Sequence, residues 1–246
     1  MTSFDTVGNI IIFSEDISKA KANEILKKLK NIKTVAVKTK IHSGIYRTKK
    51  VKILAGEKNK ETIHKENGIQ VKLNIETCYF SPRLSSERLR ISKLIKNNES
   101  VLVMFSGCSP YCLVFAKNSK AKEIYGVEIN PKCHKYALEN LELNKIKNVK
   151  LYKGDVKEVL PKIRKKFDRI VMPLPKSSED FLDLANKKIK KNGIIHFYDF
   201  EREEDIPKKS IEKIEKKIKK FKVLKVVKCG SFGPGKFRVC VDFSLN

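Results

Sequence analysis

The hydrophobic positions change period twice along the chain. Asn9–Phe13 is a short apolar run, suited to a strand. Apolar residues then recur at Ile17, Ala20, Ile25, Leu26 and Leu29, which makes one face of a helix. Thr34–Val37, Val51–Leu54 and Gln70–Leu73 read as further strands, with Gly44, Gly56 and Gly68 marking the loops between elements. Ser81-Pro82 breaks the regular pattern, and a helix is expected from Ser85 to Lys96.

From Ser100 onward, strands and helices alternate. Val101–Phe105, Ile124–Ile129, Val149–Tyr152, Arg169–Leu174 and Ile194–Tyr198 are near-continuous apolar strands. Helices are expected over Pro110–Lys117, Pro131–Leu143, Val156–Arg164 and Glu179–Lys190, and on the stripe Ile211, Ile214, Ile218, Phe221. Strands that are apolar on both faces and alternate with helices indicate an α/β fold with a doubly wound parallel sheet. Val223–Val227 and Phe237–Phe243 flank a loop with Gly230, Gly233, Pro234 and Gly235, and are expected to add an antiparallel strand at the sheet edge. The change of pattern near Thr77 suggests two domains: a small N-terminal α/β domain over 1–76 and a larger one over 77–246.

Charge adds a partner to this picture. Among 246 residues, 54 are Lys or Arg and 28 are Asp or Glu, a formal net charge of +26. Such a surplus opposes compaction by self-repulsion and makes most sense against a polyanion. A lysine-rich genome is the alternative, but that habit raises Glu with Lys, and here Glu lags. No apolar stretch reaches the length of about 18 residues that a membrane helix needs, and no leader pattern opens the sequence. The six cysteines form no CxxC pair and have no His at finger spacing, so reduced thiols of a cytoplasmic, metal-free and monomeric protein are expected.

The strand ends name the cofactor. Phe105-Ser106-Gly107-Cys108-Ser109-Pro110 is not GxGxxG, so a pyrophosphate cradle fits poorly. Glu128, 21 residues after Gly107, ends the next strand and suits two ribose hydroxyls. Asp155, in Gly154-Asp155, stands where a carboxylate can reach an adenine amino group, or cap a helix. An adenosine without phosphates points to S-adenosylmethionine.

At these residues the chain resembles the archaeal and eukaryotic tRNA guanine-37 N1-methyltransferases, a family that includes the aminocarboxypropyl transferases of wybutosine synthesis. The resemblance rests on Ser81-Pro82-Arg83-Leu84-Ser85-Ser86-Glu87-Arg88, Met104-Phe105-Ser106-Gly107, Glu128-Ile129-Asn130-Pro131, Glu139–Asn144, Gly154-Asp155, Asp168–Met172 and Ile195-His196-Phe197-Tyr198. It implies a class I methyltransferase of Rossmann-like fold acting on tRNA. It implies Glu87 as general base for the guanine N1 proton, with Arg83 and Arg88 beside it holding the site and the RNA. It also implies Arg47 on the target base and Pro175 in the Asn-Leu-Pro stretch. Phe105, Gly107, Glu128, Ile129, Asp155, Val156 and Pro173 are the implied S-adenosylmethionine contacts. Tyr79, Phe80 and Tyr111 are candidate platforms for a base drawn out of its stack.

Four departures mark this chain. Val103 and Ser109 replace an acidic residue and a glycine of the family pattern, and Pro173 replaces the asparagine of Asn-Leu-Pro. The sequence is short for the extra N-terminal domain of many relatives. Phe200-Glu201-Arg202-Glu203-Glu204-Asp205 is an acidic run after the fifth strand and is expected to face away from RNA.

Overall fold

The computed structural model describes residues 3–46 and 48–245. Its first layer is a four-stranded sheet of β1 (Phe4–Val7), β2 (Ile10–Phe13), β3 (Thr34–Ser43) and β4 (Thr48–Gly56), in that order. Helix α1 (Lys19–Lys28) crosses over from β2 to its parallel neighbour β3, and Ser18 caps it by accepting from Lys21 N. β2 is apolar throughout because it is covered on both faces. Ile11 and Phe13 pack under α1 with Ala22, Val35 and Val37. Ile10 and Ile12 face the opposite way, into a cluster with Val51, Val71 and Leu73.

Strands β5 (Glu61–Glu66) and β6 (Ile69–Asn74) form a separate hairpin. It follows the N-terminal sheet in sequence but leans on the C-terminal unit. Asn140 and Asn144 hydrogen-bond the backbone of Lys72 and Gln70 through both amide atoms, at 2.6–3.0 Å.

The large sheet contains β7 (Ser100–Met104), β8 (Glu123–Glu128), β9 (Val149–Lys153), β10 (Phe167–Met172), β11 (Ile189–Arg202), β12 (Phe221–Gly233) and β13 (Lys236–Leu245). Their order is β12-β13-β11-β10-β7-β8-β9. The run from β11 through β9 is parallel, and β13 and β12 are antiparallel additions at one edge. β7 is buried at every position, as its Ser-Val-Leu-Val-Met sequence requires of a central strand. Helices α2 (Ser85–Leu94), α3 (Pro110–Asn118), α4 (Pro131–Leu143), α5 (Val156–Lys162), α6 (Leu182–Lys188) and α7 (Lys208–Lys217) complete the chain. The chain runs from β7 outward to β9, then returns across β7 to β10. That reversal is the switch point where open α/β sheets bind ligands.

Several boundaries differ from the pattern reading. β1 and β5 were not anticipated, because Phe4–Val7 and Glu61–Glu66 each bury one residue fully and read as loop. β11 continues past Tyr198 to Arg202, and Glu201 is buried there, its Oε1 accepting from Ser210 N and Oγ. The acidic run is therefore partly inside the fold, with Glu203 paired to Lys228 and Asp205 to Lys209. A short 3-10 turn at Ser178–Phe181 takes the start of the helix expected at Glu179, and Phe221 opens β12 instead of extending a helix. Among the described residues no helix is long and apolar enough to cross a membrane. All six thiols are free.

Candidate active site

Loops at the carboxyl ends of β7, β8, β9 and β10 enclose a cavity of about 450 Å³. The loop after β7 is tightly wound. Phe105, Gly107 and Ser109 all take left-handed conformations, with φ of 60°, 59° and 66°. Glycine does this freely, whereas the other two carry strain of about 1–2 kcal/mol each. Ser106 N donating to Val127 O at 2.8 Å and Ser109 N to Ser106 O at 2.9 Å hold the loop in place.

The winding turns Gly107 N toward Glu128. Gly107 N donates to Oε2 and Asn130 N to Oε1, both at 2.7 Å. Burial raises the pKa of this carboxyl, against the pull of the surrounding backbone donors. Each oxygen has a second lone pair, so the pinned carboxylate can still accept two hydroxyl donors. Asp155 caps α5, its Oδ1 accepting from Lys157 N at 2.8 Å, and it also lines the cavity. Capping and ligand binding are thus compatible, since the cap uses one of its two oxygens. Phe105 meets Phe181 edge-on at 4.9 Å, and Ile129, Val156 and Pro173 complete an apolar slot. The slot suits a flat adenine ring between these side chains, with one carboxylate at Glu128 for ribose hydroxyls and another at Asp155 for an amino group. The residues present fit S-adenosylmethionine.

All seven residues expected at the cofactor line this cavity. Its other half is aromatic: Tyr79, Phe80 and Tyr111 form the wall beside Arg88, and Gly44, Ile45 and Tyr46 form a rim. Ile45 and Tyr46 are 74% and 42% exposed. Arg47 follows directly in sequence but lies outside the described residues.

Glu87 is placed differently from the expectation. It is buried, it does not line the cavity, and neither Arg83 nor Arg88 holds it. Arg83 instead donates to Asp5 Oδ1 at 2.6 Å and to Ser3 Oγ. Arg88 forms a bidentate pair with Glu66, both contacts at 2.5 Å, and lies over the Phe80 and Tyr111 rings. Burial alone would raise the Glu66 pKa, but His64 and Arg88 outweigh it and keep it low. The partner of Glu87 is Arg90, with Nε to Oε2 at 2.7 Å and Nη2 to Oε1 at 2.9 Å. Arg88, adjacent to Glu87 on the helix, diverges from it, and Arg83 lies in the 3-10 turn Pro82–Leu84 before the helix begins, whereas Arg90, three residues on, shares its face. Tyr198 Oη also donates to Glu87 Oε1 at 2.7 Å, and Tyr111 Oη donates to Tyr198 Oη at 3.3 Å. Hydrogen bonds therefore lead from the cavity wall to the carboxylate. Pro175 does not line the cavity either; Pro173, Leu174, Lys176 and Ser177 do.

Behind Arg90 the network continues. Arg90 donates to both Asp242 oxygens, at 2.6 and 3.2 Å, and Asp242 Oδ1 meets His196 Nδ1 at 2.6 Å. Arg169 Nη1 lies 2.7 Å from His196 Nε2. A guanidinium can only donate, so His196 Nε2 accepts and Nδ1 carries the proton to Asp242. His196, Cys240 and Asp242 have metal-ligand chemistry and lie close together. Their atoms are committed to this network, and Arg90 and Arg169 supply the positive charge that a cation would.

The parallel sheet with its antiparallel final hairpin, and the acid pinned at the end of β8, define a class I S-adenosylmethionine-dependent transferase. The chain belongs to the TRM5/TYW2 methyltransferase family: the TRM5/TYW2 methyltransferase domain matches residues 62–227, and a TYW2 N-terminal domain matches residues 1–59. The tRNA (guanine(37)-N(1))-methyltransferase Trm5b of Pyrococcus abyssi is 38% identical over 254 residues, covering 100% of this chain and 75% of the relative. Its crystal structure superposes with a TM-score of 0.90. The tRNA(Phe) (4-demethylwyosine(37)-C(7)) aminocarboxypropyltransferase of Methanocaldococcus jannaschii is 32% identical over 243 residues, covering 97% of this chain and 96% of the relative. The structure of M. jannaschii TYW2 in complex with AdoMet superposes with a TM-score of 0.76 at 27% identity, over 99% of this chain and 100% of that one.

Proposed function

We propose that this chain transfers the methyl group of S-adenosylmethionine to N1 of guanine 37 in tRNA. The observation that carries this reading is a single cavity joining an adenosine-shaped slot, ending at Glu128 and Asp155, to an aromatic chamber under an exposed rim. The 38% identity to a relative named for that activity supports it.

Glu128 would bind the ribose hydroxyls and Asp155 the adenine amino group. Phe105, Gly107, Ile129, Val156 and Pro173 would hold the ring and the methionine part. When bound, the cofactor supplies an electrophilic methyl group. Guanine N1 carries a proton at neutral pH, which must leave as the methyl arrives. Glu87 is its acceptor, linked to the cavity through Tyr198 and Tyr111. Tyr79, Phe80 and Tyr111 receive the flipped base, and Arg47, next in sequence to Tyr46, stabilises charge on its O6. Half-exposed Arg83 joins the +26 surface that grips the RNA, Arg88, buried on Glu66, braces the Phe80 and Tyr111 wall, and Pro175 shapes the loop after β10. Residues 1–76 serve RNA binding and 77–246 serve chemistry, in a cytoplasmic monomer.

One observation favours a second reading, aminocarboxypropyl transfer to a wybutosine precursor: the N-terminal match is to a TYW2 domain. The deciding experiment offers unmodified tRNA and precursor-bearing tRNA with cofactor labelled at the methyl or the carboxyl carbon. Digestion to nucleosides and mass spectrometry follow. Methyl label in N1-methylguanosine is expected. Carboxyl label in the precursor base would establish the second reading instead. RNA binding without any transfer would overturn both and leave a weakly catalytic RNA-binding protein.

A further inference from the structure

A track of rings and cations leaves the cavity at Tyr79. Arg238 on β13 donates from Nη2 to Tyr79 Oη at 2.9 Å, and its guanidinium lies 5.3 Å from the centre of the Phe200 ring on β11. Phe200 packs against Phe232 near the end of β12, with ring centres 4.0 Å apart and planes tilted by 35°. Phe232 is 60% exposed, and Lys236 Nζ lies 5.8 Å from its ring centre. These side chains stand on three adjacent strands, so the track runs without a break from the cavity wall to the surface.

A half-bare phenylalanine on a hairpin tip costs solvation, and tight packing against Phe200 holds its ring in place. A rigid exposed ring with cations alongside suits a nucleobase: the ring stacks the base and the cations meet its phosphate. The nearest acids do not oppose this, since Glu203 is paired to Lys228 at 2.6 Å and Glu204 to Arg202 at 3.8 Å. The exposed apolar area is one ring, too small for a protein or membrane docking face. Its continuity with the cavity gives the occupant. A base drawn into the aromatic chamber brings its chain neighbours to the mouth, and in a loop their faces are free to stack.

We propose that Phe232, backed by Phe200 and Arg238, stacks an unpaired RNA base flanking the target, with Lys236 against its phosphate. The inference rests on the RNA-modifying reading above and adds a second point of contact with the same strand.

The test uses the full chain with unmodified tRNA and with an anticodon stem-loop carrying 2-aminopurine at each loop position in turn. Stacking on Phe232 quenches the fluorophore at one flanking position. Phe232→Ala is expected to abolish that quenching and weaken RNA binding by about tenfold, the low to middle range for one stacked base. Phe232→Trp is expected to restore both, and affinity for S-adenosylhomocysteine serves as the folding control. If Phe232→Ala binds and quenches as the parent does while the parent methylates tRNA, this inference fails and the proposed function stands. If the parent neither binds nor modifies tRNA, both fail.

Discussion

Arg90 grips Glu87 with two hydrogen bonds, at 2.7 and 2.9 Å, and both side chains sit on helix α2. The same guanidinium holds Asp242 on β13, so one cation neutralises two buried carboxylates. Arg90→Met would leave both carboxylates buried without their cation, with Tyr198 still donating to Glu87 and His196 to Asp242. Breaking such a pair costs about 3–5 kcal/mol, and here two are broken at once. Urea unfolding followed by circular dichroism should show a loss of at least that size. A loss below about 1 kcal/mol would mean that the network contributes little to stability.

Glu87→Gln separates the carboxylate's chemistry from its place in the fold. Glutamine keeps the shape and can still accept from Tyr198 and Arg90, but it cannot take a proton. Cofactor affinity should hardly change, while single-turnover methylation should slow by about 10²–10⁴-fold. An unchanged rate would remove Glu87 from the reaction and leave it as a buried ion-pair member.

What the sequence made legible follows from where side chains are buried. The large sheet's central strands were readable because both faces are covered, as the all-buried β7 illustrates. That Glu128 and Asp155 line one cavity was readable because strand ends in this topology converge on the switch point. The polar edge strands β1 and β5 were not, since each buries so little. Nor was the setting of Glu87. Arg83 and Arg88 are near it in sequence but point elsewhere, while Asp242, which shares Arg90 with it, lies 152 residues beyond Arg90. A contact of that span leaves no local pattern, and only the register of β13 beside β11 brings it in.

Glu128→Ala should abolish cofactor binding more thoroughly than any other single change in the slot. It removes the proposed acceptor for two ribose hydroxyls, at about 1.5–3 kcal/mol for each charged hydrogen bond. It also orphans Gly107 N and Asn130 N, which now donate to the carboxylate. Calorimetry with S-adenosylhomocysteine should show affinity reduced by about 10²-fold or more. Because burial raises this carboxyl's pKa, affinity in the parent should also weaken as pH falls through that raised value. An affinity within about threefold of the parent's would place the ribose elsewhere.

Acid should unfold the protein in two stages. Burial lowers the pKa of His196 below its usual 6.5, and Arg169 and Arg90 push the same way against the pull of Asp242. The folded chain therefore binds fewer protons here than the unfolded chain. Stability from neutral His196 is whole above about pH 6.5 and declines as pH falls below it, by at most about 1.4 kcal/mol per pH unit. Burial would raise Asp242, but His196 and Arg90 outweigh it and hold its pKa well below the usual 3.8. Its share is intact above that value and is lost only at lower pH. His196→Gln keeps an acceptor for Arg169 and a donor for Asp242 but does not titrate. Melting temperatures across pH should lose the first stage in this variant and keep the second. An unaltered first stage would place that titration on another group.

Ser109 is the residue at which strain in the cofactor loop can be measured. It opens α3 with φ 66°, a conformation that costs an L-residue about 1–2 kcal/mol. Its buried hydroxyl finds no better partner than the Cys112 thiol, which is a weak one. Glycine removes both penalties and adds about 0.4–1 kcal/mol of unfolded-state entropy, so the balance favours it. Ser109→Gly should stabilise the fold by about 1 kcal/mol and raise the melting temperature by about 2–4 °C. Ser109→Ala removes the hydroxyl but keeps the Cβ, and so should recover less. If alanine equals or exceeds glycine in a thermal melt, the backbone at Ser109 is unstrained, and the hydroxyl accounts for the whole effect.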